Sequence, residues 1–184
     1  VQMVTPQMRS RAKAVNFGIV YGIGAFSLAK DIGVSNKEAK HYIESYLAHY
    51  SGVDSYMKNV VEKANADGYV ETMFGRRRNL PELTSSKHMI RAFGERVARN
   101  MPIQGTAADI IKIAMIKVDE RMKSENLRAR LVLQVHDELI VEAPQDESMR
   151  VALIVQEEME NAVKMSVPLT ADAAIGRTWY DAKG

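Results

Sequence analysis

RLVLQVHDELIVEA, residues 130–143, is the stretch that decides the fold. Two short β-rich runs, RLVLQV (130–135) and ELIVEA (138–143), are separated only by His136-Asp137. That spacing predicts an antiparallel hairpin with a two-residue turn. Downstream, the pattern predicts a helix over 146–164 and a last strand near 167–176. Upstream the character is helical. Helices are expected over 86–100 and 105–124, separated by a bend or break at Pro102. Before them, YVETMFGRRRNLPEL (69–83) reads as a short extended element plus loop. Helices are also expected over 53–66, ending at Asp67-Gly68, and from Ser35 to about residue 50. Ser35 with Glu38 three residues on forms a capping box at the start of the latter. The first two helices are placed at 7–21, closed by Gly22-Ile23-Gly24, and at 25–32. The class is therefore α+β: a helical lobe, then long helices packed on a small antiparallel sheet. The boundary is expected near 75–85, giving divisions 1–80 and 81–184.

The chain has 184 residues, 46% of them hydrophobic, enough for one ordinary domain or two small lobes. No run of about 18 apolar residues suggests a membrane span. The N-terminus, VQMVTPQMRSRAK, lacks the apolar core of a secretory signal and runs straight into a helical pattern without a start methionine. The expectation is a piece of a longer protein. Cysteine is absent, so disulfides and thiolate metal sites are excluded and a cytosolic setting is compatible. The net charge of +2 is uneven: 12 Lys/Arg against 8 Asp/Glu in 1–90, 9 against 7 in 91–140, and 4 against 8 in 141–184. A polyanion should engage the first two thirds, although ordinary scatter of surface charge meets the same counts.

Three constellations carry chemistry. Arg9, Lys13, Phe17 and Tyr21 stand four residues apart on the first helix. Each step turns about 400°, so they share one face over roughly 18 Å. Two cations followed by two rings match the order of parts in a nucleoside triphosphate. A helix with solvated cations and its rings in a core has the same spacing. Arg96, Asn100 and Gln104 form a second ladder, all able to donate to minor-groove acceptors. The polar face of an amphipathic helix would look alike. At the hairpin, His136-Asp137 is a locally poor turn, and two adjacent carboxylates, Asp137 and Glu138, suit a hard cation such as Mg²⁺. His136 is a candidate metal ligand or donor to nucleic acid, and a plain polar turn is the alternative.

The motifs together resemble the A-family (DNA polymerase I-like) DNA polymerases. The likeness rests on RSRAKAVNFGIVYG (9–22), GRRRNLPEL (75–83), RNMPIQGTAADIIK (99–112), QVHDELI (134–140) and TWYDAK (178–183), in that order, and runs from residue 7 to the end. It implies a portion of a fingers subdomain in 1–80 and the C-terminal portion of a palm in 81–184. It implies that Arg9 and Lys13 hold the triphosphate, with Lys13 counted among the catalytic groups. Phe17 packs on sugar and base, and Tyr21 occupies the templating position until a nucleotide binds, with Gly22 letting the helix end move. Arg96, Asn100 and Gln104 follow the minor groove near the primer terminus, and His136 lies by the primer end. Arg76, Arg77 and Arg78 contact DNA phosphates. Asp137 is one of two aspartates bridging a pair of Mg²⁺ ions, with Glu138 an accessory carboxylate. The implied partners are primer–template DNA and deoxynucleoside triphosphates, with no membrane and no obligate protein partner. The implied setting is replication and repair in a bacterial cytoplasm, at the nucleoid.

Two departures stand out. The family's first metal aspartate lies in an Asp-Tyr-Ser-like strand upstream of the fingers helix, and none of the 184 residues forms such a segment. Half a metal site and an inactive isolated chain are expected. Ser10-Arg11 stands where relatives often place a basic residue directly after Arg9. Two rival readings are a phage-type single-subunit RNA polymerase, whose turn carries Ser rather than Glu138, and a non-catalytic helical DNA-binding module.

Overall fold

The computed structural model describes residues 3–183. The chain divides into two compact units, Val1–Thr106 and Ala107–Gly184.

The first unit opens with α1 (Pro6–Val20). Thr5 caps it by accepting from the Met8 N–H at 3.1 Å, and Pro6 supplies a preset φ at the first helical position. Its C-terminal end is closed by two backbone bonds, Gly22 N–H to Ile19 C=O at 2.9 Å and Ile23 N–H to Gly18 C=O at 2.7 Å. Gly22 is left-handed, with φ 70°, as this Schellman closure requires. The next helix, α2 (Ala25–Ile32), ends at left-handed Gly33. In α3 (Asn36–His49) the expected capping box is present in both directions, Glu38 N–H to Ser35 Oγ and Ser35 N–H to Glu38 Oε2. Hydrogen bonds from Ser35 hold the Glu38 carboxyl below the usual carboxylate range. Leu28, Ala29, Ile32 and Ala39 make a buried cluster under α1–α3.

A second cluster of the same unit joins α4 (Ser51–Asp67), the hairpin β1 (Tyr69–Glu71)–β2 (Arg77–Asn79), and the start of α5 (His88–Ser124). Ala64, Val70, Leu80, Leu83, Ala98 and Met101 are its buried members. The extended element expected in 69–83 is thus a paired hairpin followed by one 3-10 turn, Pro81–Thr84.

The second unit contains β3 (Arg130–Val135) antiparallel to β4 (Glu138–Glu142), α6 (Ser148–Glu160) and α7 (Trp179–Lys183). Leu131 pairs with Val141 but Leu133 with Ile140, so Val132 is bulged out of the ladder. Val118 and Met122, at the C-terminal end of α5, pack with Ala129, Val151 and Ile154 as the core. Arg150 and Arg121 bind the Glu125 carboxylate and hold it below its ordinary range.

The α+β class holds, and three details differ from expectation. Pro102 does not separate one helix from another, because α5 runs unbroken from 88 to 124. Proline there removes one helical hydrogen bond, typically at a cost of about 3 kcal/mol or more. Burial of Ala98, Met101 and Pro102 around it, and the grip of Thr106 on the Pro102 carbonyl, keep the turn helical. The helix expected over 146–164 is confined to Ser148–Glu160. A turn from Pro144 precedes it, and the Lys117 ammonium takes the Asn161 carbonyl at its end. No strand forms over 167–176, since a strand needs a ladder partner and β3–β4 has no third strand among the described residues. The compact units divide within α5, and Leu80, Leu83, Ala98 and Met101 share a core with α4.

Candidate nucleotide and nucleic-acid site

On α1 the Arg9–Tyr21 ladder faces outward. Phe17 is 45% exposed and Tyr21 36%, so the rings are not core residues. They stack with centroids 6.1 Å apart at 19°, and the Lys13 ammonium lies 5.7 Å from the Phe17 ring. Neither Arg9 nor Lys13 has an anionic partner among the described residues. Two uncompensated cations beside a pair of half-open rings form an arrangement that can bind a polyanion carrying a flat base. Phe17, Tyr21, Gly22, Ser27, Asp31 and Arg96 line a hollow of about 520 Å³ at the end of this helix.

The second ladder meets the first here. Gln104 Nε2 donates to the Tyr21 hydroxyl at 3.1 Å. Arg96 sits with its guanidinium 5.9 Å from the Phe93 ring and its Cγ close behind Gly22. Because α5 stays continuous, Pro102 does not displace Gln104 from the Arg96–Asn100 line. Asn100 carries a buried Oδ1 with no hydrogen-bond partner, an acceptor still waiting for a donor.

The three arginines of the β1–β2 hairpin have different surroundings. Arg76 donates from Nη2 to the Gly105 carbonyl at 3.0 Å. The Arg77 guanidinium lies 4.4 Å from the centre of the Tyr69 ring and its Nε bonds Glu71 at 3.3 Å. Arg78 has no such partner among the described residues, which leaves it the most available of the three for a phosphate.

The β3–β4 turn belongs to the second unit. His136 is exposed and left-handed, with φ 54°, and the Gln134 side chain donates to its carbonyl at 2.6 Å. Asp137 is exposed and bears no partner among the described residues. Glu138 is clamped: Lys183 Nζ lies 3.1 Å from Oε1, and Trp179 Nε1 donates to Oε2 at 3.3 Å. The two neighbouring carboxylates are therefore unequal, one bare and one neutralised. No set of three or more His, Asp or Glu side chains that could hold a metal occurs among the described residues. Asp137 fits a hard divalent cation as one oxygen ligand of a larger set, and Glu138 does not fit as a free one. Sequence reasoning misses the Lys183–Trp179 clamp, whose members lie 41 and 45 residues away from Glu138. It also misses Thr72 and Thr106, whose only signal is the burial of a polar side chain, invisible in one sequence.

The model of DNA polymerase family A matches residues 1–181. Over 180 residues, 98% of this chain, the chain is 56% identical to DNA polymerase I of Bacillus caldotenax and 53% to that of Bacillus subtilis, covering 20% of each. It thus spans about a fifth of the length of these curated relatives. The POL domain of Pol1 from M. smegmatis, solved in complex with DNA primer-template and dNTP, superposes over the whole chain with a TM-score of 0.95 at 46% identity, the chain covering 32% of it. A match along all but the last three residues, with near-identical backbone and about half the side chains shared, leaves one conclusion: this chain belongs to DNA polymerase family A.

Proposed function

We propose that the chain supplies the nucleotide-gripping helix and a portion of the palm of a DNA-directed DNA polymerase. In that enzyme deoxynucleotides are added to a primer 3′-hydroxyl. The observation that carries the reading is the α1 face, where Arg9 and Lys13, without an anionic partner among the described residues, lead into the stacked Phe17 and Tyr21 rings. Its support from outside the chain is the M. smegmatis Pol1 domain, which was solved with primer-template and dNTP. Residues of 1–80 act as fingers and 81–184 as palm. Arg9 takes the outer phosphate oxygens bidentately, Lys13 acts as a point charge further in, and Phe17 receives the sugar and base. Tyr21 holds the templating position in the nucleotide-free state. Arg96, Asn100 and Gln104 touch minor-groove acceptors, which every base pair presents, so copying stays independent of sequence. Arg78 neutralises a backbone phosphate, with Arg76 and Arg77 shaping its hairpin, and His136 stands beside the primer end. Asp137 is one ligand for a pair of Mg²⁺ ions, whose chemistry when bound is to activate the 3′-hydroxyl and stabilise the departing pyrophosphate. Glu138, held by Lys183 and Trp179, braces the turn that aims Asp137.

The direct test is Lys13→Ala in an intact polymerase carrying this sequence. Loss of one charge-assisted contact to the triphosphate should lower kcat/KM for the incoming nucleotide on the order of tenfold to a hundredfold. Steady-state incorporation with unchanged kcat and KM would remove the ladder from nucleotide binding. Running the same assay with ribonucleotides distinguishes the RNA-polymerase alternative.

Phe17→Tyr should relax discrimination against dideoxynucleotides. With Phe17 one turn beyond Lys13, its ring edge faces the sugar's 3′ side. A normal nucleotide there satisfies its own 3′-hydroxyl against its phosphates, whereas a dideoxynucleotide has none. A tyrosine hydroxyl supplies the missing group, worth on the order of 1 kcal/mol or more in a desolvated site. The ratio of kcat/KM for deoxy- and dideoxynucleotide should fall about fivefold or more. An unchanged ratio means that Phe17 does not face the sugar and that the register of the whole ladder is wrong.

A further inference from the structure

Thr106 joins two segments of the first unit that the sequence separates by 33 positions. Its hydroxyl donates to the Pro102 carbonyl at 2.5 Å and accepts the backbone N–H of Met73, in the β1–β2 turn, at 3.0 Å. Both Thr106 and Thr72 are buried, at 6% and 4% exposure, so these bonds are shielded from water. Thr72 Oγ1 in turn accepts from the N–H groups of Phe74 and Arg76, each at 3.2 Å, which fixes the shape of that turn. Arg76 closes the arrangement on the Gly105 carbonyl. Gly105 lets the segments approach closely: a Cβ there would stand 2.7 Å from Thr72 Cγ2 and force one of them to shift.

The knot lies where α5 is weakest. Pro102 has no N–H, so the Ala98 carbonyl loses its normal helical donor in the turn between Asn100 and Gln104. A threonine bonded back to the residue four before it bends a helix locally. Here the same hydroxyl also tethers the turn of the hairpin that bears Arg78. Without the tether, the turn around the proline loses its bond to the hairpin, and burial and the Gln104–Tyr21 hydrogen bond alone hold the two amide side chains.

We propose that Thr106 is a positioning residue for the Arg96–Asn100–Gln104 ladder: its hydroxyl, bridging the Pro102 carbonyl and the Met73 amide, holds the proline-weakened turn of α5 in register for contact with the primer-terminal base pair. The proposal rests on the reading of that ladder as a minor-groove surface. Thr106 itself touches no substrate. Its effect appears when a correct terminal pair is compared with a wrong one, because only a ladder in register senses the difference.

The test is the ratio of kcat/KM for extending a matched and a mismatched primer terminus in an intact polymerase carrying this sequence. Thr106→Val keeps shape and branching but removes the hydroxyl, and Thr106→Ser restores it. The ratio should fall about fivefold in the valine variant and return to within about twofold of wild type in the serine variant. A loss of stability alone would reduce the active fraction and leave the ratio where it was. If Thr106→Val keeps the wild-type ratio while Gln104→Ala loses it, the positioning role is wrong and the minor-groove reading stands. If Gln104→Ala also keeps it, the minor-groove reading fails and takes the proposal with it. Should Thr106→Val not fold, Gly105→Ala, which keeps the hydroxyl but forces the hairpin away, must lower the ratio; an unchanged ratio there overturns the proposal.

Discussion

Asp137→Asn in an intact polymerase carrying this sequence is expected to lower kcat by about a thousandfold while leaving the Kd for primer–template DNA within about threefold. Asparagine keeps the shape of the side chain and removes its charge. Asp137 is exposed and unpartnered among the described residues, so the exchange breaks no contact and should not change folding. On the proposed reading, what it removes is an anionic ligand for a divalent cation, which would contribute several kcal/mol of charge stabilisation during the reaction. Duplex affinity is set chiefly by cations on the phosphates, and an aspartate adds nothing there. Single-turnover incorporation with saturating nucleotide, together with a DNA titration, separates the two quantities. A kcat within threefold of wild type would exclude the metal role. Glu138 is not expected to substitute for its neighbour, because Lys183 and Trp179 already occupy its carboxylate.

The 184-residue chain on its own should extend no primer. Its turn offers one bare carboxylate, and no metal-holding set of three side chains exists among the described residues. Two divalent cations held close together repel one another unless several anionic oxygens bridge them, and one aspartate falls short of that. The assay is primer extension by the purified chain across a range of Mg²⁺ concentrations, with circular dichroism to verify its helices. Robust Mg²⁺-dependent extension would refute the expectation.

What the sequence discloses and what it conceals follow from the range of the interactions involved. The α1 ladder is legible because a helix repeats every 3.6 residues, so four-residue spacing places Arg9 to Tyr21 on one face by itself. The Ser35–Glu38 capping box and the β3–β4 hairpin are legible for the same reason, their partners being three and a few residues apart. Pro102 misleads because its tolerance depends on burial and on the Met73–Thr106 bond across 33 residues. The missing strand over 167–176 shows the complementary error: β-like composition is local, but a ladder needs a second chain segment beside it. In the candidate site, spacing and motif supply the residues proposed for it. The unequal states of Asp137 and Glu138, and of Arg76, Arg77 and Arg78, depend instead on partners that only the folded chain brings near.

The left-handed histidine at the hairpin tip has a bearing on how this region of the chain assembles. Histidine at φ 54° is disfavoured relative to glycine, so the tip closes the hairpin less readily than an Asn-Gly or Asp-Gly turn would. Zipping is expected to start from apolar cross-strand pairs such as Leu131 with Val141, backed by Val151 and Ile154, and to reach residues 136–137 late, which φ-values near zero at the tip would check. A tip that contributes little to assembly leaves its side chains to be set by chemistry rather than by stability.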